Sequence, residues 1–184
     1  KFEDAVSDFS HAIANDPYNI AHYRFRHAAY LKLGRLIEAD NNGRRIVWLR
    51  NLFKLQAEIQ KNPADLVLQL HLGRHFLQER DDQLALKVFN GILAADSQHA
   101  DALIGRAQVA HGRQEYQKVI DDCSALLKSG ESFEARSLRG DAFFQLRKFD
   151  EAITDFEAAK RFDRQVADAY YQRSQQRTNA GDQA

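Results

Sequence analysis

Two histidines, His71 and His75, have a spacing that suggests chemistry, because residues four apart share one face of a helix. Such a pair supplies half of the ligands that a zinc ion usually takes. The stretch HLGRH lacks the glutamate of a zinc-peptidase helix, and no acidic or cysteine residue nearby in sequence completes the site. The favoured interpretation is a structural or exposed histidine pair. We therefore predict no bound metal and no cofactor.

The acidic doublets Asp81-Asp82 and Asp121-Asp122 are the other candidate groups. The first doublet lies at a predicted helix start, where carboxylates cap free amides and favour the helix dipole. The second lies inside a predicted helix and is expected to face solvent. No glycine-rich phosphate loop, nucleophile elbow or convergent acid–base pair accompanies them. We predict that the protein is not an enzyme.

Charge and composition narrow the classes of partner. The chain has 26 basic and 26 acidic residues, and a net charge of zero disfavours nucleic acid, whose phosphates attract basic proteins. No apolar run approaches the roughly 20 residues that span a bilayer, so we predict no membrane partner. The single cysteine, Cys123, excludes an internal disulfide and only weakly favours a reducing, cytoplasmic compartment.

The elements that would position any site are clearest between residues 133 and 166. This stretch predicts two short amphipathic helices with a tight break near Arg147. Small residues at Gly140 and Ala152 allow the two helix backbones to approach, and Phe143 and Phe156 would fill the space beside them. The result is a helical hairpin.

The same pattern recurs along the chain. A constant spacing of 12 separates the paired positions Gly140/Ala152, Gly73/Ala85, His27/Ala39 and Ala107/Val119. The second-helix positions Ala5, Ala39, Ala85, Val119 and Ala152 step by 34, 46, 34 and 33 along the chain. A helix–turn–helix unit of about 34 residues is the tetratricopeptide period. The chain resembles the tetratricopeptide repeat (TPR) family over nearly its whole length, which implies an all-α, right-handed α-solenoid.

We predict a single TPR array over residues 1–184. Its parts are a half repeat with only a second helix (1–19), a repeat with an insertion of about 12 residues (20–65), three further repeats (66–99, 100–132 and 133–166), and a terminal helix with a tail (167–184). Because the first part lacks its partner helix and an initiator methionine, we expect the sequence to be a segment of a longer protein.

The insertion is the irregular part of the array. Trp48, Leu52, Leu55 and Ile59 recur at helical spacings of 4, 3 and 4. Either an elongated second helix or a separate helix after Gly43 fits this pattern. An apolar seam of Trp48, Leu52, Phe53 and Leu55 is either an association surface for another chain or core against the adjacent repeat. Both pairs of alternatives stay open.

The resemblance also implies a binding surface, because the first helices of successive TPRs line a concave groove that takes peptides. The groove positions carried over from the family are Arg24, Ala28, Lys32, Leu70, Arg74, Leu77, Gln78, Ile104, Gln108, His111, Ser137, Asp141, Phe144, Gln145 and Tyr171. Basic side chains lie in the N-terminal half, and Asp101, Glu134, Asp141 and Asp168 lie in the C-terminal half. Unless this gradient is accidental, the acidic end of an extended peptide would lie towards Arg24 and Arg74.

The function predicted from this resemblance is a non-catalytic protein–protein interaction scaffold that binds a peptide or protein segment in the groove. The asparagines with which chaperone-binding and glycosyltransferase members of the family hold peptides are replaced by Phe25, His71, Gly105 and Leu138. Two alternatives remain. The chain is a self-association module, a homo-oligomer formed through the Trp48 seam or the open N-terminal end, or it is a regulatory or targeting segment of a larger enzyme.

Overall fold

Helices make up almost all of the structure, a computed structural model that describes residues 1–179 and 181. No strand occurs in this part of the chain, so the predicted all-α class is confirmed. The predicted tail over 180–184 lies outside the described residues except for Gly181. The helices are α1 (Phe2–Asn15), α2 (Ile20–Lys32), α3 (Leu36–Lys61), α4 (Leu66–Gln78), α5 (Asp82–Ala95), α6 (Ala100–Gly112), α7 (Tyr116–Ser129), α8 (Phe133–Gln145), α9 (Phe149–Ala158) and α10 (Arg164–Asn179).

These helices form two compact units, Lys1–Asp65 and Leu66–Ala184. In unit 1, α2 packs against both α1 and α3. In unit 2, the pairs α4/α5, α6/α7 and α8/α9 are hairpins, and the second helix of each hairpin also packs against the helix that follows it. Each second helix of unit 2 is therefore held between two first helices.

The turn inside each hairpin has one residue with a left-handed backbone. These residues are Gly34, Arg80, Gln114 and Arg147, with φ values of 71°, 57°, 61° and 60°. The amide of the next residue donates to the carbonyl five residues earlier, as Lys148 does to Phe143 (2.9 Å). The same turn therefore closes the hairpin with Gly34 and the three hairpins that have no glycine there.

In unit 2, glycines of first helices lie against the rings of second helices. A Cβ atom at Gly73 or Gly105 would lie 2.5 or 2.4 Å from the ring of Phe89, and one at Gly140 would lie 2.7 Å from Phe156. Both rings are fully buried. Because Gly73 and Gly105 belong to successive hairpins, the ring of Phe89 closes its own hairpin and also packs against the next one.

In the hairpin of α2 and α3 the two side chains are exchanged, with the ring on the first helix and the glycine on the second. Its second helix has Gly43 at the position of the ring, and its first helix has His27 at the position of the glycine. The imidazole Cε1 lies 3.7 Å from the place a Cβ of Gly43 would occupy, and Nδ1 lies 2.7 Å from the Ala39 carbonyl oxygen. His27 therefore replaces the aromatic ring that the sequence pattern lacks here.

Helix α3 runs without a break through the insertion, so of the two alternatives the structure has the elongated second helix. Its 26 residues span about 39 Å at 1.5 Å per residue. Asn42, a weak helix former, is buried inside it and donates to the Glu38 carbonyl (2.7 Å) while accepting from Arg26 (3.0 Å). These bonds offset the low helix propensity of residues 40–43.

An arginine ties first and second helices together, and we call this arrangement the arginine tie. Arg106, immediately before the small residue of α6, donates to both carboxylate oxygens of Asp122 on α7 (2.9 and 2.7 Å) and to Asn90 on α5 (3.0 Å). The prediction that Asp122 faces solvent is wrong, since the residue is 7 % exposed. The two hydrogen bonds from Arg106 replace the hydrogen bonds to water that the carboxylate gives up when it is buried.

The tie recurs in two further hairpins. Its members there are Arg139 with Asp155 (2.7 and 2.8 Å) and Ser124 (2.9 Å), and Arg26 with Asn42 (3.0 Å) and Ser10 (3.0 Å). In the hairpin of α4 and α5 the corresponding positions are apolar, Leu72 and Val88. The same fold of hairpin therefore accepts either an ion pair or two aliphatic side chains at these positions.

The close approach at Gly105 predicts opposite effects for two glycine substitutions. Gly105→Ala should lower the free energy of unfolding by about 1–3 kcal/mol, because its Cβ would overlap the Phe89 ring. Gly91→Ala is the control. Nothing lies within 4 Å of its Cβ site, and alanine in the helix should add about 0.5–1 kcal/mol. Urea unfolding measures both changes, and equal effects would contradict the packing described.

The arginine tie predicts that replacing both of its partners costs less stability than replacing the carboxylate alone. Asp122→Val leaves the half-buried Arg106 without its carboxylate and should cost about 2–3 kcal/mol. Adding Arg106→Leu reproduces the Leu72/Val88 arrangement and should bring stability back to within about 1 kcal/mol of the original chain. A double-mutant cycle in urea measures the coupling. A double variant that is as unstable as the single one would show that the apolar pair does not substitute for the tie.

Candidate binding surface

The first helices of unit 2 form a layer of their own. Helix α4 contacts α6, and α6 contacts α8, whereas no comparable contact joins α5 to α7 or α7 to α9 in the described residues. In a stack of hairpins, the helices that touch their counterparts lie on the inner side, because the outer ones are splayed apart. The inner face of unit 2 is therefore made by α4, α6 and α8.

The predicted groove positions on this unit differ in burial. Leu70 and Ile104 are 4 % and 6 % exposed, so they lie in the core beneath the inner face. Arg74 and Tyr171 are well exposed. The remaining partly or fully exposed positions are Leu77, Gln78, Gln108, His111, Ser137, Asp141, Phe144 and Gln145.

Polar side chains link each first helix to the next across the inner face. Arg74 donates to Asp101 (2.9 Å), and Gln108 donates to Glu134 (3.1 Å). These bonds join α4 to α6 and α6 to α8. Arg74 is thus already neutralised by a carboxylate, whereas Glu134 accepts from an uncharged amide. The sequence could not show which of these charges is already paired.

Near α10, Arg161 forms ion pairs with the carboxylates of Asp141 and Asp163. Arg161 donates to Asp141 (2.5 Å) and Ser137 (3.2 Å) on α8 and to Gln165 (2.8 Å) on α10. Burial acts to lower the pKa of Arg161, but its bonds to the carboxylates outweigh it and the net shift is upwards. The guanidinium remains charged and joins the middle of α8 to the start of α10.

Unit 1 presents a separate set of predicted groove residues on α2. Arg24, Ala28 and Lys32 are all exposed. Phe25, beside them, is 57 % exposed and stacks on Phe9 of α1 with ring centroids 5.3 Å apart. This surface is basic and aromatic, unlike the mixed surface of unit 2.

The apolar seam predicted on the insertion is largely buried. Trp48 is 7 % and Leu52 1 % exposed. The guanidinium carbon of Arg45 lies 4.0 Å from the centre of the indole ring, and the ring of Tyr18 lies 6.3 Å away. Leu55 is half-buried, so Phe53, 42 % exposed, is the member of the seam that reaches the surface.

The histidine pair does not converge with further ligands. His71 is exposed and His75 half-buried. In the part of the chain that the structure describes, no group of three His, Cys, Asp or Glu side chains is arranged to hold a metal ion. Likewise, none of the described helices combines the length and the apolar character that crossing a bilayer requires.

A cleft of about 440 Å³ between α5, α6 and α7 was not predicted from the sequence. It lies beside the arginine tie of Arg106, on the opposite side of α6 from the inner face. Its cations are already neutralised in the pairs Arg106–Asp122, Arg113–Asp82 and Lys118–Glu115. With each cation paired, the cleft has no spare positive charge for an anionic ligand.

Comparison with known proteins supports the fold described above. No protein-family model and no curated protein sequence matches the chain. Several solved structures do match: the TPR protein TTC0263 of Thermus thermophilus (18 % identity, TM-score 0.52, 86 % of this chain and 81 % of that one), a tetratricopeptide repeat protein from Parabacteroides merdae ATCC 43184 (20 %, 0.57, 89 % and 62 %), and MamA of MSR-1 (20 %, 0.56, 84 % and 87 %). The fold is therefore of the tetratricopeptide type.

Cys123 is predicted to be unreactive in the folded protein. It fills the ring position of α7 and is fully buried, and burial together with the nearby Asp122 carboxylate raises its pKa to about 12. Because only the thiolate reacts, a disulfide reagent at pH 8 should label the chain only as it unfolds. A Cys123→Ala/Ser97→Cys variant, with its thiol on an exposed loop, is the control and should react at once. Fast labelling of the folded original chain would contradict the buried position.

Proposed function

We propose that the protein is a non-catalytic scaffold that binds a peptide or protein segment along the inner face of its first helices. Tetratricopeptide folds generally serve protein–protein interaction, and the inner face is where their hairpins present side chains from several repeats together. The observation that carries the proposal is the direct contact of α4, α6 and α8, which places residues from three hairpins on one continuous surface.

This surface is preformed, which lowers the entropy lost on binding. Arg74–Asp101 and Gln108–Glu134 hold neighbouring first helices together. The ring of Phe144 packs edge-on against Phe149, with centroids 5.7 Å apart. A ligand therefore meets side chains that are already ordered.

The charges of the inner face favour one orientation of an extended ligand. Glu134 on α8 is exposed, and its partner Gln108 leaves its charge uncompensated. A lysine or arginine of the ligand would pair with it. Arg74 on α4 uses only Nη2 for Asp101, so its other N–H groups would donate to an acidic group of the ligand while that bond is kept. The ligand we propose is a peptide with its basic end on α8 and its acidic end on α4.

A charge reversal on the inner face tests the proposal. A peptide library is first screened against the 184-residue chain, and the selected peptide is titrated against variants. Glu134→Lys should weaken binding about tenfold, equivalent to ~1.4 kcal/mol, because it repels the basic end of the peptide. Glu151→Lys, an exposed reversal on the second helix α9, is the matched control and should leave affinity unchanged.

Two results would overturn the proposal. One is a screen that returns no peptide binding to the folded chain. The other is an equal loss of affinity in Glu134→Lys and Glu151→Lys, which would show a general effect of charge rather than a contact on the inner face.

A further inference from the structure

The cleft between α5, α6 and α7 lies where one hairpin lacks an aromatic ring that the others have. Three residues after the paired position of each first helix, the four hairpins have Tyr30, Phe76, Ala110 and Phe143. Three of these side chains are rings, and α6 alone has a methyl group. Ala110 lines the cleft, so the space that a ring would fill at this position stays open.

The next hairpin shows what a ring does at the same position. The corresponding space beside α8 and α9 is lined by Phe143 and has a volume of about 240 Å³, whereas the cleft beside Ala110 has about 440 Å³. Both spaces lie next to an arginine tie, so their frameworks match. Sites that hold small ligands usually have volumes of about 300–1,000 Å³, and only the cleft beside alanine reaches this range.

One carboxylate of the cleft is not paired with a cation. Each cation that lines the cleft pairs with another carboxylate, as Lys118 does with Glu115 (2.8 Å). Asp121 accepts a hydrogen bond from the uncharged amide of Gln117 (2.9 Å) on Oδ1, and no lysine or arginine of the described residues forms an ion pair with it. The cleft therefore has one negative charge in excess.

The cleft also has an apolar part. Leu86 of α5 and Ala110 of α6 line it together with the charged side chains of α7. A ligand that fits both parts has an aliphatic chain with a cation at its end. Arginine suits the site better than lysine, because its guanidinium is more weakly hydrated and can donate to both oxygens of a carboxylate.

We propose that this cleft binds an arginine side chain of a protein partner. The methylene groups of that arginine lie against Ala110 and Leu86, where the next hairpin has the ring of Phe143, and its guanidinium donates to Asp121. Asp121 and Lys118 are exposed, so the cleft is open to a side chain that projects from another protein. The site lies on the opposite side of α6 from the inner face and is separate from the peptide binding proposed there.

Neither the charge nor the space is sufficient alone. An ion pair with an exposed carboxylate contributes little because water solvates both partners well. The smaller space beside Phe143 also has an exposed carboxylate, Glu151, but the ring leaves less room for an aliphatic chain. Affinity should therefore depend both on the carboxylate of Asp121 and on the small size of Ala110.

An NMR titration of the isotope-labelled 184-residue chain tests the proposal. The probe is Nα-acetyl-arginine N-methylamide, which has a peptide bond on each side of the residue and no charge except the guanidinium. We expect saturable shifts of the amide signals around the cleft, with a dissociation constant on the order of 1 mM for so small a ligand. The citrulline analogue has the same shape without the charge and should bind about tenfold more weakly.

Two variants copy the next hairpin into the cleft. Asp121→Thr introduces the residue that α9 has at Thr154, and Ala110→Phe introduces the ring of Phe143. Each should raise the dissociation constant of the arginine probe about tenfold, the first by removing the charge and the second by filling the space. Glu151→Gln is the matched control, because it removes an exposed carboxylate beside a space that is already filled, and it should leave the affinity unchanged.

Four outcomes would overturn the proposal. They are the absence of saturable shifts around the cleft, equal binding of the arginine and citrulline probes, full affinity in Asp121→Thr, and loss of binding in Glu134→Lys, which would place the arginine on the inner face instead. Circular dichroism shows whether Ala110→Phe keeps its helices. Because Asp121→Thr changes only an exposed side chain, it tests the site even if the larger ring disturbs the fold.

Discussion

The distance between paired helices is the constraint on which the rest of the structure depends. Where a first helix has glycine, the second has phenylalanine, as in Gly140 and Phe156. Where the first helix has Ala107, the second has Cys123, and where the first has His27, the second has Gly43. In the Gly140/Phe156 and His27/Gly43 pairs a glycine on one helix lies against a ring on the other, and either helix can carry the ring. Where neither helix has a ring, as at Ala107 and Cys123, two small side chains occupy these positions.

This packing decides which side chains are left for binding. In unit 2 the second helices carry the rings and the acceptors of the arginine ties, and both are buried by the first helices on either side. The first helices bury one side and present the other, so their remaining side chains are free to differ from hairpin to hairpin. Arg74, Gln108 and Asp141 occupy the same position in three successive hairpins and have different charges. Stability and specificity therefore reside on different sides of the same helices.

The fold was predictable from the sequence because one spacing survives in every hairpin. The constant separation between paired positions predicts the hairpins even where His27 replaces glycine. The burial of Asp122 was missed because a hydropathy pattern assigns every carboxylate to the solvent-exposed side of a helix. The signal that reveals it is the position of Arg106 relative to Asp122, which is the same as that of Arg139 relative to Asp155.

The binding surface was less predictable than the fold. Family positions indicate which way a helix residue faces, but not how deeply neighbouring helices bury it, and Leu70 and Ile104 lie in the core for that reason. Nor does the sequence show that Asp101 already neutralises Arg74. Trp48 was a candidate for exposure because it begins the apolar seam assigned to the insertion, and its burial beside Arg45 and Tyr18 could not be predicted from that pattern.

The placement of Trp48 has a consequence for following the two units separately. It is the one tryptophan of the chain and lies in unit 1, whereas the one thiol, Cys123, lies in unit 2. Loss of the Arg45 and Tyr18 contacts changes the surroundings of the indole, so its fluorescence reports the loss of structure around Trp48 in the first unit. Stacked repeats often unfold in parts. The natural sequence thus contains one spectroscopic and one chemical reporter, and no label is needed to learn whether both units unfold together.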